Sequence, residues 1–565
     1  MLHHISLRQK VVVMIAVMSG LFLVALDQTI MSTALGKIVE EFKSFDSLSW
    51  VVTAYLLTST VTVPIAGKMS DVLGRRAVLL AGVAIFVLGS FLSGSSANIE
   101  QLIIWRGLQG IGGGILMSNA FTIIGDLFAP RERGKWQGLL GGIFSLASVV
   151  GPVLGGFLTD GQSIFGLTTD WRWTLWINVP LGLITFILIA VYCPKIKHNS
   201  KPVIDYAGAG LIGLALASLV LAVENVDAIF ADVIANTGIK GWAIKIGLYA
   251  LAVLSTIGFI LVEKRAKEPI MPLHFFKNRT FTTTMLVALL VGASFLGAIL
   301  YLTQFNQQVY GAGATAAGLM LLPLILSLTF AAIITGLVTS KTGKYKTLLV
   351  AGLTISTLGL LALTMLTPES TYFQEALLMA ATGIGIGVSF PILNIAVQNE
   401  FSQRDLGVAT SASQLFRNLG STVGVALLGG ILTTGVATQL GDIKNDAYIK
   451  TLTQQSQGQQ VIQNTDANTL LNLNTSETKE RINDSLSSGL SKSNLPQQAQ
   501  EGVKQEIKKQ QDAFNDKVVK AFADALRPVF AVSAALMAVA AAVAATLKNK
   551  TISHDTPLNA EPGIA

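Results

Sequence analysis

Gly67-Lys68-Met69-Ser70-Asp71-Val72-Leu73-Gly74-Arg75-Arg76 is a short polar run set between two long apolar ones. The glycines permit a tight turn and close approach of the flanking chain. Asp71 can sit near helix N-termini and pair with Arg75 and Arg76, which makes the stretch a charge latch on one of two conformations. The plainer alternative is a set of topology charges with a solvated acid. The Gly-x3-Asp-x2-Gly-Arg-Arg spacing between two spans favours the latch.

The apolar runs on either side belong to a pattern that covers the chain. About half of the 565 residues are hydrophobic and 13% are charged, against roughly a quarter charged in soluble domains. Such a chain has lipid as its solvent. At roughly 20 apolar residues per crossing, spans fall near 11–34, 49–69, 77–97, 100–124, 136–158, 174–192 and 205–224. The others fall near 242–262, 281–305, 316–338, 347–367, 374–397, 409–435 and 527–547. The fold class is therefore an all-α integral membrane protein of about fourteen helices. The run from Val11 to Ala34 follows Arg8 and Lys10 like a signal peptide, but it carries Asp27, is too long, and lacks a small-x-small cleavage site; it reads as span 1.

Charge orients the spans. Alternate short loops hold Lys68/Arg75/Arg76, Arg131/Arg133/Lys135, Lys195/Lys197/Lys201, Lys264/Arg265/Lys267/Lys277/Arg279 and Lys341/Lys344/Lys346, whereas the short loops between them hold few basic residues: Lys37, Lys43, Arg172 and Lys240. The positive-inside rule places the basic set and both termini in the cytoplasm. Net charge of +7 is thus a topology signal and not a sign of nucleic-acid binding. Residues 436–525 are a long polar segment that the span count puts outside. Its last part repeats Val503, Ile507, Phe514, Val518 and Phe522 at helix-like spacing, so a helical lobe should lead into the last span. The tail at 548–565 is expected to be cytoplasmic and disordered.

The chain also matches itself. Gly110-x-Gly112-x-Gly114 recurs at Gly383-x-Gly385-x-Gly387, an offset of 273 that also carries Arg131 and Gly134 to Arg404 and Gly407, and Gly151 and Gly156 to Gly424 and Gly429. An offset of 269 carries Gly67 and Gly74 to Gly336 and Gly343, and places Ser340 where the first copy has Asp71. The shift is eight spans, so two six-helix halves flank an inserted pair. The organisation is 1–192 for the first half, 193–262 for spans 7 and 8 with their loops, 263–435 for spans 9 to 13, 436–525 for the external segment and 526–547 for the last span. An even shift gives both halves the same orientation, an arrangement suited to alternating access around a midplane cavity.

Several motifs carry a family resemblance: the 67–76 loop, Arg106-Gly107-Leu108-Gln109-Gly110, Gly151-Pro152-Val153-Leu154-Gly155-Gly156, Leu26-Asp27-Gln28-Thr29-Ile30, Trp50 to Tyr55, Trp171-Arg172-Trp173 and Ile177-Asn178-Val179-Pro180. Over residues 11–435 and the final span, the chain resembles the fourteen-helix drug:proton antiporter branch of the major facilitator superfamily, the EmrB/QacA type. The resemblance implies the major facilitator fold, proton coupling through Asp27 and Arg106, and an antiport role for the Gly151/Pro152/Gly155/Gly156 motif, which the residues alone read as a kink in span 5. Leu146 and Ala147 stand where the family often has glycine, and the external segment is longer than most members carry.

Physical reasoning supports the carry-over for the two ionisable groups. Asp27 lies ~24 Å from the cytoplasmic edge and Arg106 ~10 Å from the outer edge at 1.5 Å per residue. Both reach the outer third of the membrane, where a lone charge costs at least ~2.5–3.5 kcal/mol and must face the bundle and find a partner. Snorkelling to the interface is the structural alternative. Arg417 lies near the midplane, to bind an anionic group or serve as a brace, and Glu224 at the outer end of span 7 reads as water-facing. Tyr55, Asn119, Gln304, Asn394 and Gln414 are candidates to line a cavity, or to form interhelical hydrogen bonds.

The expected function is secondary active export at a bacterial cell membrane, protons inward and small amphipathic or cationic molecules outward. The partners are then substrate, protons and the bilayer, with a periplasmic or envelope protein possible through 436–525. Rivals are an exporter of a lipid, siderophore or peptide that uses that segment, and a non-transporting receptor or scaffold. No cofactor is implied: there is no Walker loop, and the single Cys193 and the loop and tail histidines His3, His4, His198, His274 and His554 offer no metal-ligand spacing.

Overall fold

A computed structural model describes residues 6–42, 48–159, 163–164, 167–194, 205–223, 226–312, 314–402, 405–440, 446–454, 479, 482–484 and 496–548. Apolar runs of this length leave backbone N–H and C=O groups with no partner but each other, and the chain answers with helices. Fourteen helical stretches are long and apolar enough to cross a bilayer. In the first half these are α1 (Leu7–Phe42), α2 (Leu48–Leu73), α3 (Arg75–Gly94), α4 (Ile99–Leu127), α5 (Pro130–Thr159) and the broken pair α6 (Trp173–Trp176) and α7 (Asn178–Tyr192). A two-stranded hairpin, β1 (Ser163–Ile164) and β2 (Leu167–Thr168), sits between α5 and α6. The inserted pair is α8 (Tyr206–Val223) and α11 (Gly241–Glu263), joined through the short α9 (Val226–Ile229) and α10 (Ala231–Thr237). The second half comprises α12 (Arg279–Gln308), α13 (Ala314–Leu319) leading into α14 (Leu322–Thr342), α15 (Lys346–Leu363), α16 (Tyr372–Gln398), α17 (Leu406–Leu440) and the last span.

Each half has its own core. Met14, Leu21, Val83, Phe86, Leu116 and Phe121 are buried together in the first, and Phe305, Leu324, Leu353, Met379, Ile386 and Val529 in the second. The glycine triplets explain how the fourth helix of each half fits. A Cβ on Gly110 or Gly114 would lie 2.2 Å from Thr58 Oγ1 or 2.4 Å from the Ser59 carbonyl, and on Gly383 or Gly387 would lie 2.2 Å from Ser327 Oγ or the Leu328 carbonyl. The repeated glycines thus let α4 and α16 press on α2 and α14 in the same way. The pair α8–α11 lies against α2. α11 leaves Trp242, Ile246, Val253, Leu254, Ile257 and Leu261 exposed, a face that only lipid satisfies.

The polar segment joins the last span without a break. α19 runs from Gln497 to Ala545, 49 residues, about 74 Å at 1.5 Å per residue. Its predicted apolar stripe is buried at Ile507, Phe514, Val518 and Phe522, while Val503 at the far end is exposed, a departure from expectation. The partner of the stripe is α18 (Ala447–Gln454): Tyr448 packs on Phe514 at 5.4 Å and accepts from Gln511 Nε2 at 3.0 Å, and Lys517 pairs with Asp446 at 2.7 Å. Glu224, Arg404, Lys43, the basic residues 195–201, most of 441–495 and the tail from 549 lie outside the described residues.

Candidate functional site

Asp27 is fully buried, and α4 and α7 supply its partners. Its Oδ2 accepts from Arg106 Nη1 at 2.6 Å, and its Oδ1 from Gln109 Nε2 at 2.9 Å and Asn178 Nδ2 at 3.0 Å. Arg106 also donates to Gln109 Oε1 at 2.8 Å, and Asn178 to Ser90 Oγ at 3.1 Å. The ring of Tyr55 lies 4.5 Å below the guanidinium, an arrangement that favours the cation. The two charges are buried and pair with each other inside the helix bundle. Gln109 and Asn178 lie inside the quoted motifs but carried no sign of this role; the spacing of Arg106 and Gln109, one helical turn, is the signal that could have linked them. Packing holds the acid in place from the other side: a Cβ on Gly151 would lie 2.0 Å from Thr29 Oγ1, and that hydroxyl donates to the Ala147 carbonyl at 3.0 Å. Gly151 is therefore required for α5 to reach α1. Gly155 is buried, whereas nothing lies within 4 Å of a Cβ on Gly156, so packing does not demand a glycine there. Pro152 sits inside α5 and withdraws one donor from its ladder.

A second cluster lies at the end of the helices that carries the basic loops. Asp71, at the end of α2, accepts from the backbone N–H of Gly407 at 3.1 Å and of Val408 at 3.0 Å, the first turn of α17 in the other half. It also pairs with Arg75, whose Nε donates to Asp126 at 2.7 Å. Gly74 has φ +93°, a left-handed turn suited to glycine. A Cβ on Gly67 would lie 2.8 Å from the Gly407 carbonyl. The contacts of Asp71 therefore join the two halves, with one correction to the expected latch residues: Arg76 does not pair with Asp71 and donates to the Ala190 carbonyl of α7. The same end holds further bridges that no motif announced. Arg133 donates to the Gln398 carbonyl at 3.2 Å, Gln137 to Gln398 Oε1 at 2.9 Å, and Gln398 to the Phe121 carbonyl at 3.1 Å. Gly134 and Gly336 meet so closely that a Cβ on Gly336 would lie 2.1 Å from the Gly134 carbonyl.

The profile of the Major Facilitator Superfamily matches residues 17–425. The chain belongs to the major facilitator superfamily. It is 40% identical over 423 residues to the multidrug transporter protein MdtP of Bacillus subtilis (strain 168), covering 75% of each chain. It is 35% identical over 432 residues to multidrug resistance protein 3 of the same organism, covering 76% of this chain and 81% of that one. The solved structure of the proton:xylose symporter XylE shares the fold with a TM-score of 0.55 at 14% identity, covering 76% of this chain and 90% of that one.

In this multi-pass major facilitator protein the remaining candidates separate into two groups. Asn119 and Asn394 are buried, each amide nitrogen bonded one turn back (to Ile115 at 2.9 Å and Phe390 at 3.2 Å), and each side-chain oxygen has no partner. Gln414 Nε2 is likewise buried without a partner among the described residues, while the buried Tyr55 hydroxyl is in hydrogen-bonding contact with Gln28. Arg417 donates to Gln414 and stacks 4.4 Å over Phe390, with no acid paired to it among the described residues. Gln304 is exposed and joins none of these contacts.

Proposed function

We propose that the chain is a proton-driven exporter of amphipathic or cationic compounds, working by alternating access. The observation that carries this reading is the buried Asp27–Arg106 pair, an acid that takes up and releases a proton if the arginine changes partner as the helices move. Its neighbours Gln109 and Asn178 donate to the carboxylate and hold it in place. With the basic loops in the cytoplasm, the Asp71, Arg133 and Gly134–Gly336 contacts close the cytoplasmic end, and residues 436–525 lie outside. The Bacillus relatives, named as multidrug proteins, support the substrate class.

The test is transport by the purified chain in proteoliposomes, with tetraphenylphosphonium as substrate and an imposed pH gradient as the driving force. Uptake into inverted vesicles that collapses when the gradient is dissipated supports the reading; movement indifferent to the gradient overturns it. Arg417 favours a second reading, export of a lipid, siderophore or peptide that carries an anionic group. An unpaired guanidinium stacked on an aromatic ring suits such a group. An anionic amphiphile that competes with tetraphenylphosphonium in the wild type, and no longer does so in Arg417→Gln, would favour it.

A further inference from the structure

The buried acids of the first half are each joined to an arginine: Asp27 to Arg106, and Asp71 and Asp126 to Arg75. The second half holds a buried acid without one. Glu375, four residues into α16, is fully buried, and no cation pairs with it among the described residues. Its neighbours come from the end of α12. With the Asn306 amide nitrogen facing the carboxyl, it donates to both oxygens at 2.9 and 3.0 Å. The Tyr310 hydroxyl, which donates to the Ser370 carbonyl at 3.0 Å, also contacts the carboxyl. Phe305 packs edge-on against the Tyr310 ring at 5.4 Å, and the buried Met379 lies one turn on from Glu375 along α16.

The repeat makes this placement informative. α12 and α16 are the second half's counterparts of α1 and α4, the helices that carry Asp27 and Arg106. The 273 offset sets Glu375 opposite Leu102 and sets Met379, fully buried, opposite Arg106. A carboxyl therefore bridges the same helix pair in each half, but in the second half a methionine occupies the place of the arginine. Without that cation the ionised form is costly in apolar surroundings, and the protonated form is far less so. Opposing this, the Asn306 amide and the N-terminal turn of α16 both favour the anion. The two protonation states are thereby drawn together in energy, as a reversible site requires. The titratable groups that act on Glu375 are Tyr310 from the end of α12 and Tyr372 on its own helix. Tyr310 is pushed up to about 12, by burial first and then by the Glu375 charge, so it stays a donor at physiological pH.

We propose that Glu375, held by Asn306 and Tyr310, is a second proton-binding site, which takes a proton from hydronium onto a carboxyl oxygen and returns it to water as the ends of α12 and α16 move. Its part in transport rests on the proton-driven reading above; its protonation does not.

The experiment separates the two. Infrared difference spectra of the purified full chain between low and high pH read protonated carboxyl groups directly. Glu375→Gln should remove one titrating carbonyl band that Asp27→Asn leaves in place. Asn306→Leu keeps the acid and should raise its midpoint by about one pH unit, through loss of a donor to the charged form. In proteoliposomes, protons released per tetraphenylphosphonium moved should fall by about one in Glu375→Gln. A spectrum unchanged by both variants overturns the proposal, as does a band that responds to sodium at fixed pH, which would make the site one for a metal cation. Wild-type vesicles that move tetraphenylphosphonium without regard to pH would overturn the transport reading alone, and the spectra would still decide Glu375.

Discussion

Asp71→Asn isolates what one side chain contributes to closing the basic end. In the wild type, two amides of the first turn of α17 donate to the Asp71 carboxylate, at 3.1 Å from Gly407 and 3.0 Å from Val408. Asp71 thus acts as an N-cap supplied by the opposite half. Asparagine keeps one acceptor oxygen, so one of the two bonds is lost and the other becomes neutral. A hydrogen bond to a charged group contributes about 1.5–3 kcal/mol, and the helix dipole about 0.3–1 kcal/mol more. The expected loss is about 1–3 kcal/mol, or roughly 5- to 150-fold in the ratio of closed to open forms. The fold should survive, because Arg75 keeps Asp126 at 2.7 Å and is not left as a bare buried cation. Spin labels at Glu132 and Thr342, exposed positions at the basic ends of α5 and α14, in a Cys193→Ser background, would report the separation of the halves as a distance distribution. The expected result is a shift toward longer distances, with substrate binding retained. Unchanged populations in a variant that has lost efflux would refute the latch and assign Asp71 to insertion or folding.

Asp27→Asn should abolish proton-coupled movement of tetraphenylphosphonium; it leaves Arg106 buried without its counter-charge, a loss of about 3–5 kcal/mol when one partner of a buried pair is removed, and transport down a pH gradient at the wild-type rate would show the acid to be structural. Gly336→Ala places a methyl 2.1 Å from the Gly134 carbonyl, so the same spin labels should report a population open at the basic end even with Asp71 intact; an unchanged distribution would mean the backbones yield. Glu41, half-exposed between Arg172 and Trp171, has its carboxyl held below the ordinary carboxylate range, chiefly by hydrogen bonding to Arg172. Its contribution is therefore complete above that ordinary range and fades only as pH falls through the lowered value; Glu41→Gln should cost under about 1 kcal/mol, and thermal unfolding at neutral and acidic pH checks both points.

The spans were legible because hydropathy over some 20 residues is a strong, local signal, and the repeat because close helix contact demands glycine at fixed register. The latch was half legible. The spacing pointed to Asp71 and Arg75, but their partners Asp126, Gly407 and Val408 come from other helices, and no local pattern assigns Arg76 to α7 rather than to Asp71. Glu375 was hidden for a different reason. It stands at the edge of span 12, where a charge costs little if water reaches it, and only the fold shows that α12 covers it. The continuity of α19 was also out of reach, since a stripe and a span in sequence do not reveal whether a turn divides them.

The closed end is built twice from the same elements and finished differently each time. Gly67 meets Gly407 where α2 crosses α17, and Gly336 meets Gly134 where α14 crosses α5. The 269 and 273 offsets relate the two crossings: Gly67 corresponds to Gly336, and Gly134 to Gly407. Both crossings bring backbone to backbone at related glycines, the second more closely: a Cβ on Gly67 would lie 2.8 Å from the Gly407 carbonyl, and one on Gly336 2.1 Å from the Gly134 carbonyl. Charge is not symmetric. The first crossing carries Asp71 on the amides of α17, while the second carries Ser340, whose buried hydroxyl has no hydrogen-bond partner among the described residues. A hydroxyl that gains nothing on closure sets no preference between conformations, whereas a carboxylate on a helix N-terminus does. On the proposed reading, the glycines set how tightly the basic end can close, and Asp71 sets how often it does. An acid introduced as Ser340→Asp would have no arginine placed like Arg75, because Tyr345 and Lys344 follow Gly343 in place of the arginine pair. It should therefore fail to restore the closed population in an Asp71→Asn background.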